Sequence, residues 1–193
     1  MVRSPFPLLL LLTAIALTAC SASLFKVKPV TELPPLPGSA RTADAGSVII
    51  KVAPLLTDEE SQELFEANLP LNGVLPLRLA LDLQGGVPVE LKRVRFRLRD
   101  SQGREWKLLP PKKAVSRILK ANDVYAYSPS GRKQFAQDLG AYALDLSLPL
   151  SSADSRRTGF LFFETPDKRP VESSQQLTLT VERLPKPVDI ALN

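Results

Sequence analysis

The chain has 193 residues, 44% of them hydrophobic, with 25 Lys and Arg against 20 Asp and Glu, a formal charge of +5. This length fits one domain with terminal extensions. The weak basic excess is interspersed and forms no basic tract interleaved with aromatics, so nucleic-acid binding is not expected. One Cys and no His exclude an intramolecular disulfide and a multi-cysteine metal site, and remove the commonest general base. An enzyme is therefore not expected, and neither is a metal or a cofactor.

Met1-Val2-Arg3 gives a short positive start. Residues 6–19 are then apolar apart from Thr13 and Thr18, with leucines from Leu8 to Leu12. This is the charged region and hydrophobic region of a secretory signal, and it falls short of the roughly 20 apolar residues a membrane-spanning helix needs. Leu17-Thr18-Ala19-Cys20 closes the stretch. Those four residues resemble the lipobox of bacterial lipoproteins, with an aliphatic residue at −3, small residues at −2 and −1, and then Cys. The resemblance covers residues 1–20 alone. It implies cleavage before Cys20 by a type II signal peptidase that recognises Leu17, Thr18 and Ala19. It also implies a diacylglycerol on the Cys20 sulfur and an acyl group on its new amine, that is, a palmitate-type membrane anchor. Two or three acyl chains make such attachment stable, where one does not. Position +2 is Ser21, not Asp. By the same resemblance this favours the outer membrane in an organism with two membranes.

Residues 20–46 follow as the lipidated N-terminus and a tether. Pro29, Pro34, Pro35, Pro37 and Gly38 fall there, with few large side chains after Phe25. Such a segment reads as an extended leash able to reach roughly 80 Å at about 3.3 Å per residue.

Residues 47–184 read as the folded domain, mainly through period-two alternation. Val48, Ile50 and Val52 share one face, as do the odd-numbered leucines from Leu75 to Leu83. Gln84-Gly85-Gly86 reads as a turn. Val87, Val89 and Leu91 are apolar at odd positions, but Val94, Phe96 and Leu98 at even ones, so a bulge or break is required near Lys92-Arg93. Asp100-Ser101-Gln102-Gly103 reads as a hairpin turn into Trp106 and Leu108. Tyr142, Leu144, Leu146 and Leu148 suggest a further strand. Residues 159–164 are apolar on both parities, as suits a central strand, and Leu177, Leu179 and Val181 alternate with polar residues.

Helical patterning interrupts the strands. Thr57-Asp58-Glu59-Glu60 matches a capping box. Lys112–Asn122 carries an apolar stripe of Val115, Ile118 and Leu119, and Ser130–Leu139 makes a further helical piece before Gly140. Together these give a mainly β chain. The expected arrangement is an immunoglobulin-like antiparallel β-sandwich of about seven strands, with a helical insertion near residues 112–139. Pro185-Lys186-Pro187 is expected to end the fold and leave residues 185–193 as a loose tail. The likeness to envelope domains of this kind is architectural and carries no activity.

Two features of the folded part invite a contact role. Arg93, Arg95, Arg97 and Arg99 project from one strand face over roughly 20 Å at about 3.3 Å per residue. They suit an anionic headgroup or an acidic partner, and equally suit a solvated face paired with acidic neighbours. Tyr125 and Tyr127 sit on a Pro/Gly-rich loop beside the inserted helix, where they either grip a ligand or pack the insertion onto the sheet. The carboxylates Asp58, Glu59, Glu60, Asp145, Glu164 and Asp167 are scattered, and no G-x-S-x-G is present. The expectation is a lipid-anchored envelope protein making non-catalytic protein–protein contacts, in an accessory or assembly role. The alternative is a module that binds envelope lipid or glycan through the arginine ladder or the tyrosine loop. A carboxylate-based hydrolase ranks last.

Overall fold

The computed structural model describes residues 25–124, 128–172 and 176–192. The first strands are β1 (Arg41–Asp44) and β2 (Val48–Pro54), followed by helix α1 (Asp58–Phe65) and strand β3 (Val74–Leu83). A hairpin of β4 (Arg95–Asp100) and β5 (Glu105–Leu109) leads into helices α2 (Pro111–Ala121) and α3 (Pro129–Ala141). The chain closes with β6 (Arg156–Glu164), β7 (Leu177–Glu182) and β8 (Val188–Ala191).

All eight strands join one antiparallel sheet in the order β1-β2-β3-β6-β5-β4-β7-β8. The sheet nearly closes on itself. Lys186 N donates to Ala45 O at 3.1 Å across the seam between the two edge strands. Gly46, at φ 88°, sits so close there that a Cβ would lie 3.2 Å from Pro185 Cβ. β5 links two halves of the sheet. Its first residues pair with β4 (Leu98 opposite Trp106) and its last with β6 (Leu109 opposite Phe162).

The alternation read from the sequence decides what faces inward. The odd residues of β3 meet Val48, Ile50 and Val52 of β2, the even residues of β4, Trp106, and Leu179 and Val181 of β7 in the main core. β6 is apolar on both parities because both of its faces are covered. Leu161 and Phe163 enter the main core, and Phe160 and Phe162 enter a second core under the helices. There Phe65 of α1 meets Phe160 edge-on at 5.7 Å and Tyr142 at 5.3 Å. Ala114, Val115, Ile118 and Leu119 of α2, and Phe135 and Leu139 of α3, complete the layer.

Local signals behave as their chemistry requires. Thr57 Oγ accepts from Glu60 N at the start of α1. The parity switch after Leu91 is resolved by a 3-10 turn at Leu91–Arg93, which lets β4 begin in the other register. α2 spans Pro111–Ala121, and α3 runs one residue past Gly140.

Three expectations are corrected. The segment from Tyr142 to Leu148 is not a strand. Tyr142 caps α3, Ala143 makes a single parallel bridge to Phe160, and the chain then continues as a loop with Leu148 exposed. Beyond Phe162 the adjoining edge of β6 is already occupied by β5, and Pro149 lacks the N–H that a ladder needs. The crossing depends on Gly159, where a Cβ would lie 2.5 Å from Leu144 Cα.

The second correction concerns the tether. From Phe25 onward it is laid on the domain. Phe25, Val27 and Leu33 pack against the second core, and Arg41–Asp44 forms an edge strand. The third concerns the tail, which supplies β8 through pairings such as Leu179 with Ile190. Edge-strand pairing of short segments leaves little alternation to read, so both were invisible to a pattern search.

Candidate functional site

The N-terminal segment is fixed by several independent contacts. Phe25 stacks on Phe135 at 4.9 Å between ring centroids. Lys28 N donates to Leu64 O at 3.0 Å, and Lys28 Nζ pairs with Glu63 at 2.9 Å. The Tyr142 hydroxyl donates to Lys28 O at 2.6 Å. Further along, Arg78 donates to Pro34 O and Pro35 O while lying over the Phe160 ring. Burial lowers the Arg78 pKa from its ordinary value, with the charge of Tyr142 opposing. Burial, and then the charge of Glu32, raises the Tyr142 phenol, with Arg78 opposing. These side chains strap an irregular, proline-rich strand to the helix layer.

The strap begins beside a basic surface. Residues 111–141 hold 6 Lys and Arg against 2 Asp, a formal 6 − 2 = +4. α2 buries its apolar stripe and leaves Lys112, Lys113 and Lys120 exposed, and α3 exposes Arg132 and Lys133. A cleft of about 530 Å³ runs between the two helices. Its floor includes Val115 and Ala136, and its rim carries Lys112, Arg132 and Lys133. Arg132 donates to Ser116 Oγ at 3.0 Å, which ties α3 to α2. Among the described residues, none of these rim cations has a carboxylate within 4 Å. No local motif marks this cluster, and its signal in the sequence is the net charge of the two helices taken together.

The arginine ladder is shorter than its spacing suggested. Arg93 belongs to the 3-10 turn, and only Arg95, Arg97 and Arg99 stand on β4. Arg97 lies 3.6 Å from Glu182, and Arg99 lies 3.7 Å from Glu105. Arg95 is opposite Glu182 in register. Tyr125 and Tyr127, like Leu17, Thr18, Ala19 and Cys20, lie outside the described residues.

The carboxylates do not converge. Glu164 is buried against Arg117, whose Nε is 3.2 Å away but at an angle too bent for a hydrogen bond, while its terminal nitrogen donates to Lys168 O at 2.6 Å. Asp145 faces Arg157 at 3.2 Å, and hydrogen bonds from Ser147 hold its carboxyl below the usual range. Asp167 pairs with Arg169 at 3.9 Å. Asp100 anchors the β4–β5 turn, accepting from Gln102 N, Arg104 N, Arg104 Nε and Trp106 Nε1. Burial pushes its carboxyl up, but the hydrogen bonds outweigh burial and hold it below its ordinary value.

Among the described residues no group of three or more Asp, Glu or Cys is placed to hold a metal ion, and no helix is long and apolar enough to cross a membrane. Comparison with protein-family models, curated proteins and solved structures returns no match.

Proposed function

We propose that the chain is a lipid-anchored, non-catalytic protein of the cell envelope, moored through Cys20 after removal of residues 1–19. Its domain is presented for contact with another envelope protein. The observation that carries this reading is the strap from Phe25 to Pro35. A segment that follows an anchor and is fixed to its domain sets the height and tilt of that domain over the bilayer. Such control suits a module that presents a surface. Ser21 after the anchor points to the outer membrane where the organism has two. The handover of β5 from β4 to β6 supports a finer description of the nearly closed sheet as a sandwich whose two sheets share β5 at a corner.

The test is metabolic labelling with palmitate alongside crosslinked affinity capture from native membranes. Labelling should disappear in Cys20→Ser, and one stoichiometric protein partner should be captured. Unchanged labelling contradicts the anchor, and capture of glycan alone contradicts the protein contact.

A second reading, binding of an anionic envelope ligand, is favoured by Lys112, Arg132 and Lys133, which have no carboxylate partner among the described residues. It is weakened on β4, where Arg97 and Arg99 already face carboxylates.

A further inference from the structure

We propose that the α2–α3 hairpin rests on the anionic phospholipid surface that holds the Cys20 anchor, with Lys112, Arg132 and Lys133 on headgroup phosphates. The inference rests on the lipid-anchor reading above and adds the face that meets the bilayer.

The first argument is length. Four residues separate Cys20 from Phe25, and these five steps span at most roughly 17 Å at about 3.4 Å per residue. Phe25 is stacked on Phe135, so the acyl chains enter the bilayer within that distance of the middle of α3. Arg132 lies one helical turn before Phe135, and Ala136 follows it. The anchor therefore allows the hairpin to reach the anionic surface, whose field decays over about 10 Å at 0.1 M salt, and never lets Phe25 drift more than about two such lengths from it.

The second argument is charge. The hairpin carries a formal +4, of which Arg117 is paired with Glu164, and its rim cations have no carboxylate partner among the described residues. The first turn of α1 carries Asp58, Glu59 and Glu60 on the same helix layer. A negative surface attracts α2 and α3 and repels α1, which favours one orientation of the domain. The third is position. Lys112, Arg132 and Lys133 line one cleft between the two helices and can meet neighbouring phosphates together. A basic patch beside an acyl anchor is also the combination that turns reversible membrane contact into stable contact.

The experiment uses the lipidated protein on vesicles of phosphatidylcholine with and without phosphatidylglycerol. Cys20 is the chain's only cysteine and its sulfur is acylated on this reading, so a spin label on Gln137→Cys is unique. A second label on Glu59→Cys reports α1. Flotation with both vesicles tests the anchor independently. The expected result is several-fold lower accessibility of the Gln137 label to a water-soluble relaxation agent on phosphatidylglycerol vesicles than on pure phosphatidylcholine. The Glu59 label should not change, and the difference should vanish in Lys112→Glu/Arg132→Glu/Lys133→Glu or in high salt. Equal accessibility of Gln137 on floated vesicles of both kinds overturns the proposal while leaving the anchor intact. Protection of Gln137 by polyglutamate but not by phosphatidylglycerol vesicles also overturns it, and assigns the hairpin to an acidic protein. Failure to float overturns the anchor itself.

Discussion

Phe25 and Phe135 stack with ring planes 28° apart and centroids 4.9 Å apart, joining the start of the described chain to the middle of α3. Phe135 is fully buried, whereas Phe25 is partly exposed and reaches the second core from outside. The contact converts a proline-rich segment, which buries little surface by itself, into a fixed strap. It is the hinge of the functional account, because it determines where an anchor at Cys20 sits relative to the domain.

Removing that ring should free the strap without unfolding the sheet. Phe25→Ala loses a stacked aromatic pair and part of its buried area, a cost of about 1–2 kcal/mol. Trypsin should then cut faster after Lys26, while sites within the β-strands stay protected. Mass analysis of a timed digest checks this. An unchanged rate at Lys26 would show that the strap is held elsewhere.

Tyr142 pins the same strap from below, through its hydrogen bond to Lys28 O at 2.6 Å. Tyr142→Phe should cost about 1 kcal/mol. The phenol is raised in the fold, by burial first. The unfolded chain therefore loses this proton first as pH rises, and the contribution is present below about pH 10 and lost as pH climbs through the folded value. Urea midpoints from pH 8 to 11 should fall less steeply in Tyr142→Phe than in the parent. Parallel curves would remove Tyr142 as the source.

Asp100 should set part of the acid limit. Four donors converge on its carboxylate, and its folded pKa lies below the ordinary value. Its contribution is thus present above about pH 4 and lost as pH falls through the folded value. Asp100→Asn keeps one acceptor oxygen but sets an amide against Arg104 Nε or Trp106 Nε1. We expect a loss of about 1–3 kcal/mol at neutral pH and a shallower fall on acidification. Thermal melts at pH 3 to 7 report both.

Arg117 and Glu164 join α2 to the end of β6 in a nearly buried ion pair. Arg117→Ala orphans the carboxylate. The expected cost is about 2 kcal/mol, below the roughly 3–5 kcal/mol of a fully isolated charge, because Lys107 sits opposite Glu164 in register. The double replacement Arg117→Leu/Glu164→Leu should recover most of the loss. A double-mutant cycle by denaturant unfolding distinguishes the two cases, and additive losses would show that the pair is uncoupled.

The strands with a buried side were legible because burial imposes period two on their sequences. β2, β3, β4, β6 and β7 follow from Val48, Leu75, Phe96, Gly159 and Leu177 onward, and the break at Lys92-Arg93 followed from the parity of the valines before it. β1 and β8 were not legible. Each is a four-residue edge element whose identity depends on a partner far away in the chain. Tyr142–Leu148 misled for the converse reason. An extended loop that passes over Gly159 also buries Tyr142 and Leu144 without sharing a hydrogen-bond ladder. The proposed anchor rests on a local motif, Leu17-Thr18-Ala19-Cys20, which one stretch of sequence carries. The strap depends on Phe25 meeting Phe135 over 110 positions of sequence, and the basic hairpin on two helices pooling their charges. Neither relation exists along a single stretch of chain.

The central claim is the mooring of this domain through Cys20, and the mass of the mature N-terminal peptide tests it most directly. The account predicts that the protein extracted from membranes begins at Cys20, with a mass increase equal to a diacylglycerol on sulfur, with or without an amide-linked acyl chain. A mature chain that begins at another residue, or one that keeps residues 1–19 and an unmodified Cys20 thiol, would contradict it.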